Sequence, residues 1–404
     1  MSQKLFDMLE ERGFVKDMTH PDAIKKLLNG NKKITFYLGI DPTADSLHIG
    51  HFFALRMFRH LQNAGHRGIL LIGGATSMIG DPTGKSDMRK MLTKDQVKHN
   101  LNEVKELARR FVLPETEIVN NADWMDKFSY IDFMRTVCVY FNVNTMLASE
   151  AYERRRENGG LTFLEMGYMP MQAYDFVHLH DTKNCVLEIG GSDQWGNIVA
   201  GTELFRKMNI ENGNEKGEIY GLTSPLLMTA DGKKMGKTEK GTLWVAREKT
   251  TPYDFYQYFY NTGDENTETL LALFTDIPMD EIKQMCKSDI IAAKKRMAFE
   301  ITKLIHGEDV AKTAADTATA LFNGAGNAEN MPQTEIKMKT PMGVLDFLCA
   351  AGLFASKSDA RRNVEQGGIQ IDGNKITDPK SMITPADEII VQKGKKVFLR
   401  VICK

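Results

Sequence analysis

The chain has 404 residues, which at roughly 150 residues per domain predicts two or three domains and excludes a single small binding module. Hydrophobic residues make up 42% of the sequence and charged residues 26%, a composition that excludes a disordered or fibrous chain. The 52 Lys and Arg balance 53 Asp and Glu, so the net charge is −1. No global basic field therefore indicates nucleic acid, and any such partner must be met by a local patch.

The N-terminal residues are charged throughout, and nowhere do about 18 apolar residues run together. We therefore expect a cytoplasmic protein that does not enter a membrane. The five cysteines are widely spaced and contain no CxxC pair. This spacing argues against a disulfide framework or a structural zinc, and the thiols are expected to be reduced.

The first half of the chain alternates between short apolar runs and amphipathic segments. Apolar runs at 34–38, 69–72 and 186–189 are bounded by glycines, and a helix is expected over about 48–63. Short apolar strands separated by helices predict a parallel, doubly wound α/β sheet. Ligands of such sheets bind at the carboxyl ends of the strands.

The second half changes character twice. Beyond residue 251 the strand signals disappear and helices are predicted to about residue 322, followed by a Gly-, Asn- and Pro-rich linker over 323–342. Residues 341–404 carry ten Lys or Arg and seven Asp or Glu, a charge of +3 against −4 for the rest. A strand, the turn dipeptide Asp372-Gly373 and further alternating strands predict a small αβ module. A charge of +3 alone is typical of a solvated surface, but its position on a tethered module favours RNA binding.

A run from Asp41 to His51 follows the first strand and opens the predicted helix. Its two imidazoles, His48 and His51, stand on the first turn, where free N–H groups and the helix dipole favour phosphoryl oxygens. Gly50 is expected to leave room for a base or ribose. Spacing alone favours a simpler interpretation, in which the two histidines are a cap and a core residue, or half a metal site. The full eleven-residue context favours the phosphate interpretation.

Three other motifs have weaker signals. Residues 80–86 fail the Walker A spacing, and Asp81 suits an ammonium ligand better than a triphosphate. The lysine-rich loop at 230–238 lacks the acidic ligands of an EF-hand and is either an exposed basic turn or a loop that closes over pyrophosphate. Histidines 178 and 180 with Cys185 form the best metal-like cluster, but residues two apart on a helix face different ways, so no metal is expected there.

Two of these motifs carry a resemblance. His48-Ile49-Gly50-His51 is similar to the HIGH signature, and Lys234 to Thr238 to the KMSKS signature, of class I aminoacyl-tRNA synthetases. Across nearly the whole chain the sequence resembles the bacterial tyrosyl-tRNA synthetases within that class. The residues that carry this closer resemblance are Tyr37 and the runs at 41–51, 80–85, 172–175 and 190–197.

The resemblance implies an order of domains. A Rossmann-like catalytic domain at 1–225 would contain a dimer-interface insertion at about 121–168. The mobile KMSKS-type loop and connection would follow at 226–248, a helical anticodon-binding domain at 249–323, a linker at 324–340 and an RNA-binding domain at 341–404. The insertion holds closely spaced apolar residues, so a homodimer is expected.

The implied reaction joins L-tyrosine to ATP and then to tRNA(Tyr). An ionised carboxylate attacks the α-phosphorus, pyrophosphate leaves, and the 3′-terminal adenosine of the tRNA takes the aminoacyl group. Phosphoryl transfer is catalysed mainly by positioning and charge stabilisation, which suits a site of histidines, lysines and backbone donors. Mg²⁺ would accompany ATP, and no tightly bound protein-ligated metal is expected.

The resemblance also implies individual roles. Thr43 and His48 would hold the γ-phosphate and His51 the ribose, while pyrophosphate would be stabilised by Lys85, Arg89, Lys234, Lys237 and Thr238. The substrate phenol would be bound by Tyr37 and Asp175, and its ammonium by Asp81, Tyr168 and Gln172, with Asn121 and Gln194 as secondary pocket residues. The ATP-binding set would be Gly39, Asp41, Thr43, His48, Gly50, His51, Gly191, Asp193, Lys234, Met235 and Lys237.

Three positions depart from the family pattern. Leu38 and Ala54 replace residues that can hydrogen-bond the ribose, which puts ATP affinity in question, and Glu188 stands where glutamine is usual. Three rival functions stay open on sequence grounds: a nucleotidyltransferase of the HxGH type, a tryptophanyl-tRNA synthetase, and a non-enzymatic RNA-binding protein. The first would not need the helical domain, the second would not need both Tyr37 and Asp175, and the third would leave the nucleotide site unexplained.

Overall fold

The structure is a computed structural model that describes residues 3–83, 91–211, 213, 217–228, 235–238, 241–322, 333–394 and 397–404. The chain folds into two compact units. The first contains Met1–Ala246 and Glu268–Gln284, and the second contains Arg247–Thr267 and Met285–Lys404. Among the described residues, no helix combines the length and the apolar character that crossing a membrane requires.

A five-stranded parallel sheet forms the centre of the first unit. Its strands are β1 (Thr35–Ile40), β2 (Arg67–Ile72), β3 (Glu117–Asn120), β4 (Cys185–Gly191) and β5 (Tyr220–Ser224), in the order β3-β2-β1-β4-β5. The predicted doubly wound α/β fold is confirmed. The chain moves outward from β1 to β3 and then returns to the other side of β1. The crevice at the carboxyl ends of β1 and β4 is therefore the topological switch point, where ligands of such sheets bind.

Helices of the first unit connect and cover these strands. Along the chain they are α1 (Leu5–Glu11), α2 (Pro21–Asn29), α3 (Ile49–Asn63), α4 (Thr76–Ile79), α5 (Lys94–Arg109), α6 (Ala122–Met125), α7 (Tyr130–Thr136), α8 (Val143–Leu147), α9 (Glu150–Glu157), α10 (Phe163–Met166), α11 (Tyr168–Lys183) and α12 (Trp195–Glu211). Short 3₁₀ turns lie at Cys138–Tyr140 and Ser192–Gln194. The two-residue strands β6 (Lys237–Thr238) and β7 (Gly241–Thr242) pair antiparallel.

Successive side chains of β1 reach the helices on opposite faces of the sheet. Phe36 packs on Phe58 of α3 with ring centroids 4.9 Å apart, and Tyr37 packs on Phe176 of α11 at 5.3 Å. Gly68 on β2 makes room for the first pair, because a Cβ there would lie 2.4 Å from the Phe58 ring. The period of two in a strand thus puts Tyr37 on the α11 side, where the candidate site lies.

The residues predicted as a dimer-interface insertion fold as short helices, α6 to α10. A buried ion pair holds them, with Arg155 Nε 2.8 Å from Glu165 Oε1 and both side chains at most 4% exposed. The other Glu165 oxygen accepts from the Thr162 amide and hydroxyl, which caps α10 just before Tyr168. The pair therefore fixes the segment that leads into α11.

The first unit also takes in a helical segment from beyond residue 250. Most of helix α14 (Thr267–Phe274) and the start of α15 (Met279–Ser288) belong to this unit. The Arg12 guanidinium donates to the carbonyls of Ala272, Thr275 and Ile277, and Phe274 packs on α3. This grouping divides the helical block predicted over 249–323, and Arg12, the residue after α1, supplies donors to carbonyls at and beyond the end of α14.

The second unit contains the remaining helices, α13 (Pro252–Tyr260), α16 (Ile290–His306) and α17 (Glu308–Phe322), and the C-terminal module. The module has α18 (Val344–Ala350), α19 (Lys357–Glu365), β8 (Gln333–Ile336), β9 (Met342–Gly343), β10 (Ile369–Ile371), β11 (Asn374–Ile376), β12 (Met382–Ile383), β13 (Glu388–Lys393) and β14 (Val397–Cys403). Its main sheet has the order β11-β10-β13-β14-β8. Asp372 and Gly373 have φ of 47° and 78°, so the predicted hairpin turn between β10 and β11 is confirmed.

The predicted linker contains a strand that its composition did not indicate. β8 pairs parallel with β14, and Ile336 and Met338 are buried in the module's core. Of the four residues of β8 only Ile336 is buried, so the strand has almost no apolar pattern of its own. Its pairing is set by the partner strand, which sequence periodicity does not reveal.

We expect Glu165→Leu to destabilise the protein by about 3 to 5 kcal/mol, since it leaves the buried Arg155 charge without its partner. The double variant Arg155→Met with Glu165→Leu should recover most of that loss, because it removes both charges. Urea unfolding of the wild type, both single variants and the double variant measures the four free energies. Additive losses in the double variant would contradict the coupling.

Candidate active site

A cavity of about 780 Å³ opens at the carboxyl ends of β1 and β4. Fifteen of the predicted site residues line it: Tyr37, Gly39, Asp41, Thr43, His48, Gly50, His51, Asp81, Tyr168, Gln172, Asp175, Gly191, Asp193, Gln194 and Met235. Leu38, Ala54 and Glu188, the three departures from the family pattern, line it as well. The topology therefore gathers residues that are up to about two hundred positions apart in sequence.

The two histidines at the start of α3 hold each other. The His51 amide donates to His48 Nδ1 at 3.2 Å, the His48 amide donates to His51 Nδ1 at 3.4 Å, and the rings stack with centroids 3.6 Å apart. A ring nitrogen that accepts from an amide carries no proton, so both rings carry theirs on Nε2. Each ring therefore carries its N–H at Nε2, at a helix N-terminus whose dipole favours negative charge.

Gly50 lies against the ring of His48. A Cβ at this position would lie 3.0 Å from Cε1 of His48, so the histidine ring occupies the space next to the glycine. Gly50 also lines the cavity, so room for a base or ribose against its backbone stays a prediction. The glycine permits the stacked arrangement of the histidines, because any side chain would push the His48 ring away.

The segment at 235–245 is bonded to the same helix start. The Ile49 amide donates to the Leu243 carbonyl at 3.1 Å, and the Val245 amide donates to the Leu47 carbonyl at 2.8 Å. The Leu243 amide in turn donates to the Gly236 carbonyl at 2.6 Å. Gly236 has φ of 91° and packs so closely on Ile49 that a Cβ would lie 2.4 Å from that side chain. Backbone hydrogen bonds therefore join the two signature motifs.

A second network surrounds Asp41. Tyr168 donates its hydroxyl proton to Asp41 Oδ2 at 2.9 Å, and Thr76 donates to Asp41 Oδ1 at 2.7 Å. Gly73 makes this possible, since a Cβ there would lie 2.0 Å from Asp41 Oδ1. Asp41 is thus oriented from two sides, and the Tyr168 hydroxyl oxygen keeps a lone pair that can accept.

Asp175 is buried and receives an N–H donor on each oxygen. Trp124 Nε1 donates to Oδ1 at 2.8 Å, and Asn121 Nδ2 donates to Oδ2 at 3.0 Å. The Asn121 amide is itself fixed, because its oxygen accepts from the Ala75 amide and its nitrogen also contacts Thr76. Burial raises the pKa of Asp175 well above its ordinary value, while the Asn121 and Trp124 hydrogen bonds oppose that rise.

Glu188 lies beside Tyr37, since β1 and β4 place these residues in register. Its Oε1 accepts from Gln172 Nε2 at 3.0 Å, and its buried Oε2 has no hydrogen-bond partner of normal geometry, nor has the Tyr37 hydroxyl. Burial raises the pKa of Glu188 to about 7, against smaller opposing effects of the Gln172 and Tyr37 side chains. Burial, with Glu188 and Asp175 nearby, also raises the pKa of Tyr37 well above its ordinary value.

Asp81 also lines the cavity, and hydrogen bonds hold both of its carboxylate oxygens. Its Oδ1 accepts from the Thr83 amide at 2.9 Å and its Oδ2 from Gln194 Nε2 at 2.7 Å. The Gln194 amide is oriented by Asn197, which donates to its oxygen at 3.2 Å. A fixed, buried carboxylate at this place suits a cationic ligand group.

Some predicted residues lie elsewhere. Asn121 stands behind the cavity and reaches it through Asp175. Lys85, Arg89 and Lys234 lie outside the described residues, and for Lys237 and Thr238 only the backbone is described, as part of β6.

The histidines of the metal-like cluster pack against aromatic rings. His178 is stacked on Trp124 at 4.3 Å, and His180 lies against Phe205 at 4.4 Å. In the part of the chain that the structure describes, no three or more His, Cys, Asp or Glu side chains form a group that could hold a metal ion.

Sequence reasoning missed several residues that position the site. Trp124 donates to Asp175, Thr76 links Asp41 to Asn121, and Trp244 lines the cavity and forms an isolated β-bridge with His48. For Trp124 a signal existed, because a buried indole needs an acceptor. For Thr76 and Trp244 the contacts depend on chain segments that only folding brings together.

Two family models match the chain. The model of class I tRNA synthetases (W and Y) matches residues 28–323, and the model of the tyrosine–tRNA ligase SYY-like C-terminal domain matches residues 325–401. The first of these covers most of the chain and the second covers the basic C-terminal module.

Relatives and solved structures agree with those models. A tyrosine–tRNA ligase of Clostridium botulinum is 48% identical over 98% of this chain and 99% of its own length, and that of Acetivibrio thermocellus is 45% identical over 98% of both. The structure is similar to a C-terminally truncated mitochondrial tyrosyl-tRNA synthetase of Coccidioides posadasii, with a TM-score of 0.67 and 31% identity, covering 78% of this chain and 92% of that one.

The buried Glu188 predicts a pH-dependent stability. In the unfolded chain its carboxyl has an ordinary pKa near 4.5, and in the folded protein a pKa of about 7. Between these values the folded state holds a proton that the unfolded state has lost, so stability from this group is fully present below the unfolded pKa and falls as pH rises through the folded pKa. The loss is on the order of 3 kcal/mol.

Glu188→Gln cannot titrate, so its free energy of unfolding should rise relative to wild type by that amount between about pH 4.5 and pH 8. Urea unfolding across this range measures the difference, and Glu157→Gln, at an exposed glutamate, serves as the control. A difference that stays constant with pH would contradict a buried, titrating carboxyl.

Proposed function

Since the chain belongs to the tyrosine–tRNA ligase family of class I aminoacyl-tRNA synthetases, we propose that the cavity at the carboxyl ends of β1 and β4 is the place where it activates tyrosine. The protein is an ATP-dependent tyrosine–tRNA ligase. It joins L-tyrosine to the adenylyl group of ATP with release of pyrophosphate, and then transfers tyrosine to the 3′-terminal adenosine of tRNA(Tyr). The single observation that carries the site assignment is the convergence of the two signature motifs and the Tyr37–Asp175 pocket on one cavity.

Activation needs no protein nucleophile. The tyrosine carboxylate oxygen forms a bond to the α-phosphorus while the bond from that phosphorus to the bridging oxygen breaks, and pyrophosphate leaves with the electron pair. In transfer, a ribose hydroxyl of the tRNA attacks the carbonyl carbon of the adenylate and AMP leaves. The protein's contribution is therefore alignment and stabilisation of charge that develops on the phosphates.

Tyr37 and Asp175 would bind the substrate phenol. A phenol presents one donor and one acceptor, and a hydroxyl with a free proton next to a carboxylate complements both. The Tyr37 hydroxyl has no aligned partner of its own, and Asp175 is held by Asn121 and Trp124 from behind. The carboxylate can accept a further hydrogen bond without moving, so the pocket is preorganised.

The α-ammonium would bind between Asp81, Gln172 and Tyr168. Asp81 supplies a fixed negative charge, and the buried Gln172 Oε1 is an acceptor without a partner. Tyr168 has given its proton to the hydrogen bond with Asp41 and can accept with its oxygen. Gln194 orients Asp81. Three acceptors match the three N–H groups of the ammonium.

ATP would occupy the part of the cavity near the start of α3. The Nε2–H groups of His48 and His51 would donate to phosphates and ribose, the dipole of the helix N-terminus favours their negative charge, and Thr43 lines the same cavity. Gly39 and Gly191 allow close approach of the nucleotide, and Asp193 can accept from its ribose hydroxyls. Mg²⁺ would enter with ATP on its phosphate oxygens.

The lysine-rich loop would act on the leaving group. We assign pyrophosphate stabilisation to Lys85, Arg89, Lys234, Lys237 and Thr238, with Met235 packed at the base of the loop. Support comes from the backbone bonds between residues 236–245 and the start of α3, which attach this loop to the histidine turn. A loop anchored there would place cations over the phosphates once it closes.

The other parts of the chain would bind tRNA. We assign catalysis to 1–225 with the loop and connection at 226–248, anticodon recognition to the helices at 249–323, and further RNA contacts to 341–404 beyond the linker. The basic balance of the C-terminal module supports its assignment. Since its partner is tRNA, we place the enzyme in the cytoplasm.

The enzyme would work as a homodimer. Large apolar side chains of the insertion are exposed in the single chain, among them Tyr130 at 65%, Val139 at 66% and Phe163 at 70%. Val137, another apolar residue of the insertion, is instead buried within the chain. Exposed large apolar side chains within one segment are typical of an interface, and a second copy would cover them.

The phenol assignment predicts selective losses in two variants. Tyr37→Phe should lower kcat/KM for tyrosine, with a loss of transition-state stabilisation of about 0.5 to 1.5 kcal/mol, the contribution of one neutral hydrogen bond. Asp175→Asn should cost about 1.5 to 3 kcal/mol, because the carboxylate is the stronger acceptor. The measurement is ATP–pyrophosphate exchange that depends on added tyrosine, with phenylalanine and tryptophan as comparison substrates.

Phenylalanine lacks the hydroxyl, so its weak activity should barely change in Tyr37→Phe. Discrimination that persists undiminished in both variants would show that other residues bind the phenol. Exchange stimulated by tryptophan rather than tyrosine would refute the pocket assignment as a whole.

The dimer assignment predicts that Val139→Glu produces monomers, since a buried carboxylate at an interface has no partner. Light scattering at working concentrations should give about twice the chain mass for wild type and the single mass for the variant. Ile291→Glu, at a residue of the second unit that is 59% exposed, is the matched control and should stay dimeric. A monomeric wild type would reject the assignment.

A further inference from the structure

The floor of the tyrosine pocket contains buried polar atoms that the proposed function does not use. Glu188 Oε2 and Tyr37 Oη have no aligned hydrogen bond, although the Tyr37 hydroxyl is near enough to affect the titration of Glu188. Both residues are at most 2% exposed, and they lie in register on neighbouring strands. Buried polar atoms without partners are costly, so an arrangement that satisfies both is expected to form.

The two carboxyl groups of this pocket differ in how well they hold a negative charge. Asp175 accepts an N–H donor on each oxygen, whereas Glu188 accepts only one, from Gln172. Neither forms an ion pair within the described part of the chain. Two carboxylates in one buried site disfavour double ionisation, and the group with fewer donors takes the proton. Burial raises the pKa of both groups, and the smaller number of donors favours the proton on Glu188.

We propose that Glu188 sets the direction in which the Tyr37 hydroxyl donates its proton, so that discrimination between tyrosine and phenylalanine depends on the protonation of Glu188. The inference rests on the proposed function, in which Tyr37 and Asp175 bind the substrate phenol. It makes Glu188 a positioning residue that acts through Tyr37. It also adds a pH dependence that the pocket assignment alone does not contain.

The two protonation states orient Tyr37 in opposite ways. When Glu188 is neutral, its Oε2–H donates to Tyr37 Oη, and the Tyr37 proton is free for the substrate phenol oxygen, whose own proton goes to Asp175. When Glu188 is ionised, Oε2 accepts the Tyr37 proton in a stronger, charge-assisted bond. The substrate phenol then meets only acceptors at that end, and its oxygen loses a donor.

Other titratable groups face Glu188 and Tyr37, and their titration must be distinguished from that of Glu188. On α11 the neighbour is Asp175, on β4 it is Cys185, and Asp41 adds a negative charge from the end of β1. Burial raises the pKa of Cys185 far above the working range, so its thiol stays neutral. Burial also raises the pKa of Glu188 to about 7, which puts its titration within the range of an activity assay.

The test is the ratio of kcat/KM for tyrosine to that for phenylalanine, measured by pyrophosphate exchange from about pH 6 to pH 8.5. The ratio cancels pH effects on ATP, on the lysine-rich loop and on the shared backbone groups of the two substrates. In wild type the ratio should fall roughly three- to tenfold across the titration of Glu188, the effect of one hydrogen bond.

Two variants give matched controls. Glu188→Gln keeps the shape, accepts from Gln172 with its oxygen and donates to Tyr37 with its nitrogen, so it should retain the high ratio at every pH. Tyr37→Phe removes the hydroxyl that changes direction, so its ratio should be low and independent of pH. These two profiles would not arise if Glu188 were only a structural residue.

Each other outcome overturns the inference. A wild-type ratio that stays flat shows that Glu188 does not act on the phenol, and this result needs no variant to fold. A ratio that falls equally in wild type and Glu188→Gln assigns the titration to another group, such as Asp175. If Tyr37→Phe leaves the low-pH ratio unchanged, the phenol assignment fails first, which distinguishes failure of the proposed site from failure of the role of Glu188.

Discussion

Two carboxyl groups, Asp175 and Glu188, are buried side by side at the base of the cavity, and neither has a cationic partner among the described residues. Burial of an unpaired charge is so unfavourable that its surroundings must supply donors or a proton. Asp175 receives the Trp124 and Asn121 N–H groups, and Glu188 receives the Gln172 amide. The short helix α6, the turn after β3 and the face of α11 are all positioned by this requirement.

The same cavity depends on a second constraint, the bonding of one chain segment to another at the start of α3. Residues 236–245 contribute backbone bonds to Leu47 and Ile49, while the two histidines cap each other. Backbone hydrogen bonds therefore connect the segment that follows Lys237 to the groups that would hold phosphate. Gly236, packed against Ile49, is one of the points where the two segments are in contact.

Much of the fold was predictable because its strands are short apolar runs bounded by glycines. The order of helix and strand, and the turn at Asp372-Gly373, follow from local patterns. The strand β8 and the docking of Glu268–Gln284 were not predictable in this way, because each depends on a partner distant in sequence. The motifs indicated which residues meet at the cavity, but periodicity does not show which atoms bond. Only the folded structure shows three features of the site. These are the mutual cap of His48 and His51, the hydrogen bond that Trp124 donates, and the surroundings of Glu188.

On our proposal, the phenol end of the pocket binds tyrosine best when Glu188 carries a proton. Linkage then requires tyrosine binding to take up protons above the pKa of Glu188. Titration calorimetry in buffers of different ionisation enthalpy, near pH 7.5, counts the protons bound per site. We predict uptake of a substantial fraction of one proton with wild type and none with Glu188→Gln. No uptake in wild type, or equal uptake in both proteins, would contradict the claim.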